Sequence, residues 1–214
     1  MKIGLISVEY PPHYGGGIST YTDNLSRFLS KAGHEVHVIS NAWVDYGDAK
    51  ACDAARAPLP AHLHIHRIDA FHKNFSLRPA FRQSLASSVV REWGVAMFWS
   101  ILVADKLEEI HRQFSLDIVE FPESSAHGYV TLGRRAAGVG IDVPITVTLH
   151  GPMQIVNAYN YLSRQRREYH RMASMEEYCI RHADLLSSPS RWLAERVTGQ
   201  KELKQQAHRC TVIP

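Results

Sequence analysis

Lys2-Ile-Gly-Leu-Ile-Ser-Val-Glu-Tyr-Pro-Pro-His-Tyr-Gly15-Gly16-Gly17-Ile-Ser-Thr-Tyr21 runs from an apolar segment through two prolines and three consecutive glycines into a helical pattern. Lys2 to Val8 reads as a strand, and Pro11 and Pro12 end it. From about Ile18 to Ala32 the apolar residues recur at helical spacing, and Gly33 stands where a C′ glycine stops a helix. Glycines between a strand and a helix let the backbone approach a ligand closely. The helix N-terminus then offers free N–H groups and a partial positive charge to an anion, phosphate first of all. A plain tight turn is the bland alternative. The dinucleotide fingerprint does not fit, because its glycine spacing is missing and the second strand ends Ile39-Ser40-Asn41 rather than on an acid.

Working outward, short Ile/Val/Leu runs alternate with longer helical patterns, the signature of βαβ units. Further strands are expected at Glu35 to Ser40, His62 to Ile68, Asp117 to Phe121, Ile145 to His150, Leu185 to Ser188 and Cys210 to Ile213. Helical patterns cover Leu85 to Phe114 with a break near Gly94, Ser125 to Ala137, Arg164 to His182 behind Ser163 as N-cap, and a segment to about Val197 behind Ser190 as N-cap. The expectation is one α/β domain over residues 1–214, a Rossmann-like doubly wound parallel sheet with helices on both faces.

With 214 residues, 45% of them hydrophobic and 21% charged, the chain has the composition of an ordinary globular domain, which excludes disordered and fibrous classes. A core of that size needs no disulfide or structural metal. The net charge of +3 gathers in no long Lys/Arg block, so no nucleic-acid partner is expected, while an anionic small ligand or a membrane surface fits. Cys52, Cys179 and Cys210 lie far apart with no metal-ligand spacing, which points to a reduced, cytoplasmic setting. The first apolar run meets Glu9 and the prolines too soon for a secretory leader. The most apolar stretch, Trp93 to Ala104, falls well short of the roughly 20 residues of a membrane span and reads as a buried helix.

His150 closes a buried strand, and ligands bind at strand carboxyl ends in open α/β sheets. Glu123, Ser124, Ser125 and His127 follow the strand ending at Phe121 and fall on the same edge, although Ser124 or Ser125 could simply cap the next helix. Glu9, Tyr10, His13 and Tyr14 flank the glycines, with aromatic faces suited to sugar rings or to packing around the prolines. His62, His64 and His66 alternate along one strand face. No acid or cysteine nearby completes a ligand set, so a half-exposed face and no metal are expected. Arg164, Arg166, Arg167 and Arg171 read as a solvated helix face partnered by Glu168, Glu176 and Glu177. The other use for that face is an anionic ligand or a peripheral membrane contact.

The glycines after Glu9-Tyr-Pro-Pro, the helix Tyr21 to Leu29 running into Lys31-Ala-Gly-His-Glu-Val-His-Val, then Thr148-Leu-His150-Gly151 and Ala183-Asp-Leu-Leu-Ser-Ser-Pro-Ser190 fall in one order along nearly the whole chain. Together they resemble the N-terminal domain of the retaining family-four glycosyltransferases. The resemblance implies the GT-B architecture, two Rossmann-like domains facing across a cleft. The nucleotide-sugar donor is then held mainly by a C-terminal domain that this chain lacks, and the linker starts near Val212-Ile-Pro214.

It further implies that His150 lies near the reaction centre and that Gly15, Gly16, Gly17 and Gly151 approach the donor. Glu9, Tyr10, His13, Tyr14, Tyr21, Glu123, Ser124, Ser125 and His127 would then face a sugar, glycan or lipid-linked acceptor. Glu168 and Glu176 have the spacing of the family's paired-glutamate motif but not its position. No cofactor is expected, since the nucleotide-sugar is a substrate. No Asp-x-Asp cluster is present, so helix N-termini rather than a metal would aid a leaving diphosphate. A chain with these features would transfer a sugar only once joined to its second domain, in the cytoplasm or at the inner face of the membrane. A nucleotide-binding oxidoreductase domain and a non-catalytic carbohydrate- or partner-binding module stay open as other classes.

Overall fold

In the computed structural model, residues 1–11, 16–42, 58–68, 88–160 and 167–214 are described. His13, Tyr14, Gly15, Cys52, Ser163, Arg164 and Arg166 lie outside them. Lys2–Ile6 forms β1, and Gly17–Lys31 forms helix α1. Glu35–Asn41 is β2 and Leu63–Ile68 is β3. Helix α2, Val95–Phe114, leads to β4, Ile118–Pro122. A short 3-10 turn at Ser124–Ala126 precedes α3, Tyr129–Ala136, and β5, Ile145–Thr148. Helix α4 is Met153–Tyr159, α5 is Arg167–His182, β6 is Leu185–Ser188 and α6 is Arg191–Thr198. A second 3-10 turn, Lys204–Arg209, leads into β7, Cys210–Val212.

The seven strands are ordered β3-β2-β1-β4-β5-β6-β7 and every pair is parallel. Chain order reverses between β1 and β4, so the loops leaving those two strands part and open a crevice at their carboxyl ends. One sheet face carries Ile3, Leu5, Val36, Val38 and Leu63, with Leu25 and Leu29 of α1 packed on it. The other carries Ile6, Ile39, Val119, Phe121, Ile145 and Val147, covered by Trp99, Val103 and Leu107 of α2 and by Cys179 and Ile180 of α5. Burial on both faces explains why the strands read as apolar runs rather than as alternating patterns.

Helix α1 buries Ser19, Thr22, Ser26 and Ser30, a stripe of small hydroxyl residues at helical spacing. The helix ends as expected. Gly33, at φ +90°, donates its N–H to Ser30 O while His34 donates to Leu29 O, the double closure that a left-handed C′ glycine permits. The expected N-cap at Ser190 is also present, its Oγ accepting from Leu193 N at 3.2 Å. Helix α2, whose middle was expected to be buried, packs Trp99, Val103 and Leu107 into the core against the sheet. No described helix is long and apolar enough to cross a membrane.

The expected helix from Ser125 to Ala137 is corrected. Ser125 and Ala126 both take positive φ, which breaks the segment into the 3-10 turn and a later helix whose N-cap is Gly128. Neither serine therefore caps α3.

Candidate active-site crevice

The β1 side of the crevice is built by the turn after Ser7. Arg67, on β3, donates to Tyr10 O at 3.0 Å and to Pro11 O, so a side chain from the sheet edge braces the segment leading to the glycines. Ser7 Oγ donates to Glu9 O at 2.6 Å and tightens the same turn. Tyr10 points away from the crevice: it is 1% exposed, its hydroxyl lies 2.9 Å from Ser26 Oγ, and burial pushes its pKa up to about 12. The expected acceptor contact at Tyr10 gives way to packing, because its ring fills the gap left by the small residues of α1.

Gly16 is the N-cap of α1, at φ −80°, with no side chain capping the helix and no acid in the first turn. Among the described residues no side chain caps the first N–H groups of α1. A cavity of about 280 Å³ opens here, lined by Ser7, Glu9, Gly16, Gly17, Ser19, Ser125 and His127 among others. A Cβ on Gly16 or Gly17 would meet no atom of the described residues within 4 Å. These glycines thus keep room at the mouth rather than relieve backbone strain.

On the β4–β5 side, Glu120 accepts a hydrogen bond from the Tyr21 hydroxyl at 2.9 Å. Burial raises the pKa of both, and the Glu120 charge raises that of Tyr21 further. The Tyr21 ring meets the His150 imidazole edge-on, with centroids 5.0 Å apart. His150 is partly buried, and burial pushes its pKa down to about 4. At neutral pH it is an uncharged donor and acceptor.

Its backbone is held from beneath. Glu123, fully buried, accepts from His150 N at 2.7 Å and from Gly151 N with its other oxygen. Gly151 takes φ +138°, and a Cβ there would stand 3.1 Å from Val156 Cγ2. Glu176 of α5 does the same for the neighbouring segments, accepting from Ser125 N at 3.0 Å and from Met153 N, the first residue of α4, at 2.7 Å. Burial pushes Glu123 up to about 7, and burial with the nearby Glu123 charge pushes Glu176 up to about 8, even though the N–H groups pull both down.

The structure thus gathers Glu9, Gly16, Gly17, Ser124, Ser125 and His127 around one cavity and sets Tyr21 against His150. Glu123 supports the His150-Gly151 turn instead of facing it. His127 is buried at 3% exposure, edge-on to Trp99, with its pKa pushed down to about 4 by burial and with no hydrogen-bond partner on Nδ1 among the described residues. Glu176, expected in a solvated row of helix charges, is a buried clamp. Glu168, Arg167 and Arg171 of the same helix remain at least partly exposed.

Sequence reasoning missed Glu120, Arg67 and the role of Glu176. The one available signal was a carboxylate interrupting the apolar run Ile118-Val119-Glu120-Phe121.

The glycosyltransferase family 4 model matches residues 15–214. Sucrose-phosphate synthase from Thermosynechococcus elongatus is a structural neighbour, with a TM-score of 0.65 and 17% identity over 100% of this chain and 47% of its own. The catalytic domain of starch synthase IV from Arabidopsis thaliana, bound to ADP and acarbose, aligns with a TM-score of 0.59 and 15% identity over 99% of this chain and 50% of its own. A lipopolysaccharide outer core galactosyltransferase aligns with a TM-score of 0.51 and 13% identity over 99% and 45%. None of the curated proteins matches significantly by sequence. The chain spans about half the length of the solved structures it resembles. Its all-parallel sheet is the Rossmann-like N-terminal half of a GT-B architecture, and the chain belongs to glycosyltransferase family 4.

Proposed function

We propose that this domain forms the acceptor side of a two-domain glycosyltransferase that moves a sugar from a nucleotide-sugar to a sugar, glycan or lipid-linked acceptor with retention of configuration. The observation that carries the reading is the His150 turn, where a buried carboxylate holds the backbone of a residue that presents a neutral imidazole at a strand carboxyl end. His150 donates to or accepts from a hydroxyl near the reaction centre, and Tyr21 with Glu120 fixes its ring. The side-chain-free N-terminus of α1 supplies N–H groups and a partial positive charge to the donor diphosphate. The cavity edge of Glu9, Ser124 and Ser125 offers hydroxyl-binding groups to the acceptor. A second domain of the family supplies the residues that grip the nucleotide.

The experiment joins this domain to its following reading frame and incubates the product with a panel of nucleotide-sugars, detecting released nucleoside diphosphate. The joined protein releases diphosphate from at least one donor, whereas the 214-residue chain alone releases none. Turnover by the isolated chain would overturn the two-domain reading. Absence of turnover with every donor and acceptor class would return the fold to a binding module.

A further inference from the structure

Away from the crevice, toward the amino ends of β2 and β3, lies a second polar cluster that the sequence hid. Glu35 and His37 are two apart on β2 and share a face, and the register sets His37 opposite His64. The nearest acid to the alternating histidines is therefore on the neighbouring strand, which overturns the expectation that no carboxylate completes a ligand set. Glu35 Oε1 lies 3.4 Å from His37 Nε2 and 3.7 Å from His64 Nε2. All three ligand atoms fall within 4.8 Å of one another.

The arrangement has the parts of a metal site. Tetrahedral ligands bonded at about 2.1 Å stand about 3.4 Å apart, close to the two separations that involve Glu35. His37 is fully buried, and its Nε2, which faces the Glu35 carboxylate, has no hydrogen-bond partner among the described residues. Its Nδ1 lies 3.0 Å from His66 Nε2. When His37 donates that Nδ1 proton to His66, its Nε2 lone pair confronts a carboxylate oxygen, a repulsion that a shared cation removes. A histidine whose second nitrogen is tied in this way is oriented as metal-bound histidines are.

The His37 ring is held in place by Phe114, with centroids 4.4 Å apart, and by the stacked rings of His64 and His66. The neighbouring cations are already engaged, Lys2 Nζ by Phe114 O at 2.8 Å and Lys106 by Glu109 at 2.7 Å. Side-chain exposures of 29% for Glu35 and 41% for His64 leave an open side for entry and for a water as fourth ligand.

We propose that Glu35, His37 and His64 bind a divalent transition-metal ion, Zn²⁺ by donor type, with His66 positioning His37. Two imidazoles and a carboxylate suit this class rather than Mg²⁺ or Ca²⁺, which prefer all-oxygen sites. Bound there, the ion ties the edge strand β3 to β2 and stabilises the fold through its preference for the folded state.

Zn²⁺ titrated calorimetrically into the metal-stripped chain tests the proposal, with His64→Gln, Glu35→Gln and His62→Gln as variants. His62 is exposed on the same strand face and outside the site. One equivalent is expected to bind in the micromolar range and raise the thermal midpoint. His64→Gln and Glu35→Gln should each weaken that binding at least about tenfold and abolish the midpoint rise, as loss of a site residue does, while His62→Gln leaves both intact. Mg²⁺ should produce neither signal. Equal Zn²⁺ affinity in the parent, His64→Gln and Glu35→Gln would overturn the site, as would equal loss in His62→Gln.

Discussion

At the carboxyl ends of β4 and β5 the buried Glu123 and Glu176 are each met by two backbone N–H groups, whereas toward the amino ends of β2 and β3 the buried His37 is met by two imidazoles and a carboxylate. The first arrangement uses side chains to fix backbone, so its product is the placement of a turn. The second uses backbone register to gather side chains, so its product is a set of converging lone pairs. Buried polar groups cost folding free energy in both places unless partnered. What they hold differs: a backbone turn at one end, a group of side-chain donors at the other.

The sharpest way to break this comparison is His150→Ala in the proposed two-domain enzyme. A drop of about 100-fold or more in kcat/KM with an unchanged thermal midpoint is expected if the imidazole meets the reacting groups. Unchanged kinetics in a folded variant would leave the Glu123 clamp with nothing catalytic to place.

Glu123→Gln comes next. Its amide NH₂ would face an N–H donor from His150 or Gly151, and a loss of about 1–3 kcal/mol in chemical denaturation is expected. Glu35→Gln in metal-free protein should cost no more than about 0.5 kcal/mol, as partly exposed positions usually do. Equal losses would erase the distinction between a carboxylate that holds backbone and one that waits for a ligand.

The crevice was only half legible in the sequence. His150, Gly151, the glycine loop and the serines after β4 announced themselves because strand ends and glycines have local signatures. The clamp by Glu176 did not, since it reaches residues more than twenty positions away and sits in a helix otherwise rich in solvated charge. The parallel sheet followed from the alternation of patterns. The pairing of Glu35 with His64 depended on cross-strand register, which no single-strand pattern carries. Tyr10 misled for a similar reason, because whether an aromatic residue beside prolines faces out or in depends on the bulk of the helix opposite.

Acid and alkali should act on the two kinds of group in opposite senses. Glu123 and Glu176 have folded pKa values of about 7 and about 8, above the ordinary 4.5, so the folded state retains protons that the unfolded chain releases. Stability therefore falls as pH rises from 4.5 through those values. His127 and His150, at about 4 against 6.5, bind protons only in the unfolded chain as pH drops below 6.5, and stability falls in that direction. Denaturant midpoints measured from pH 4.5 to 8.5 should peak at about pH 5 to 6 and decline toward alkali. A steady rise to pH 8.5 would mean that the clamping carboxylates are ionised in the fold at ordinary pH.

The smallest effect separates two glycines. Gly16→Ala, at φ −80° with no described atom within 4 Å of its Cβ, should change stability by less than about 0.5 kcal/mol, and Gly16→Val should lower activity by crowding the cavity. Gly151→Ala, at φ +138° and facing Val156, should cost about 1–3 kcal/mol. Similar losses at both positions would show that the glycine loop is strained rather than simply spacious.

The edge strand β3 does two jobs with opposite faces. His64 and His66 reach the His37 side, while Arg67 turns the other way to hold the carbonyls of Tyr10 and Pro11. A shift of one residue against β2 would exchange the faces, sending Arg67 toward Phe114 and the histidines toward α1. The brace on the glycine loop and the imidazole cluster would then be lost together. Proofreading is thus built into these few residues: a chain that closes β3 in the wrong frame forfeits contacts at both ends of the sheet at once, and a misregistered species made during refolding would lack both metal affinity and an ordered crevice.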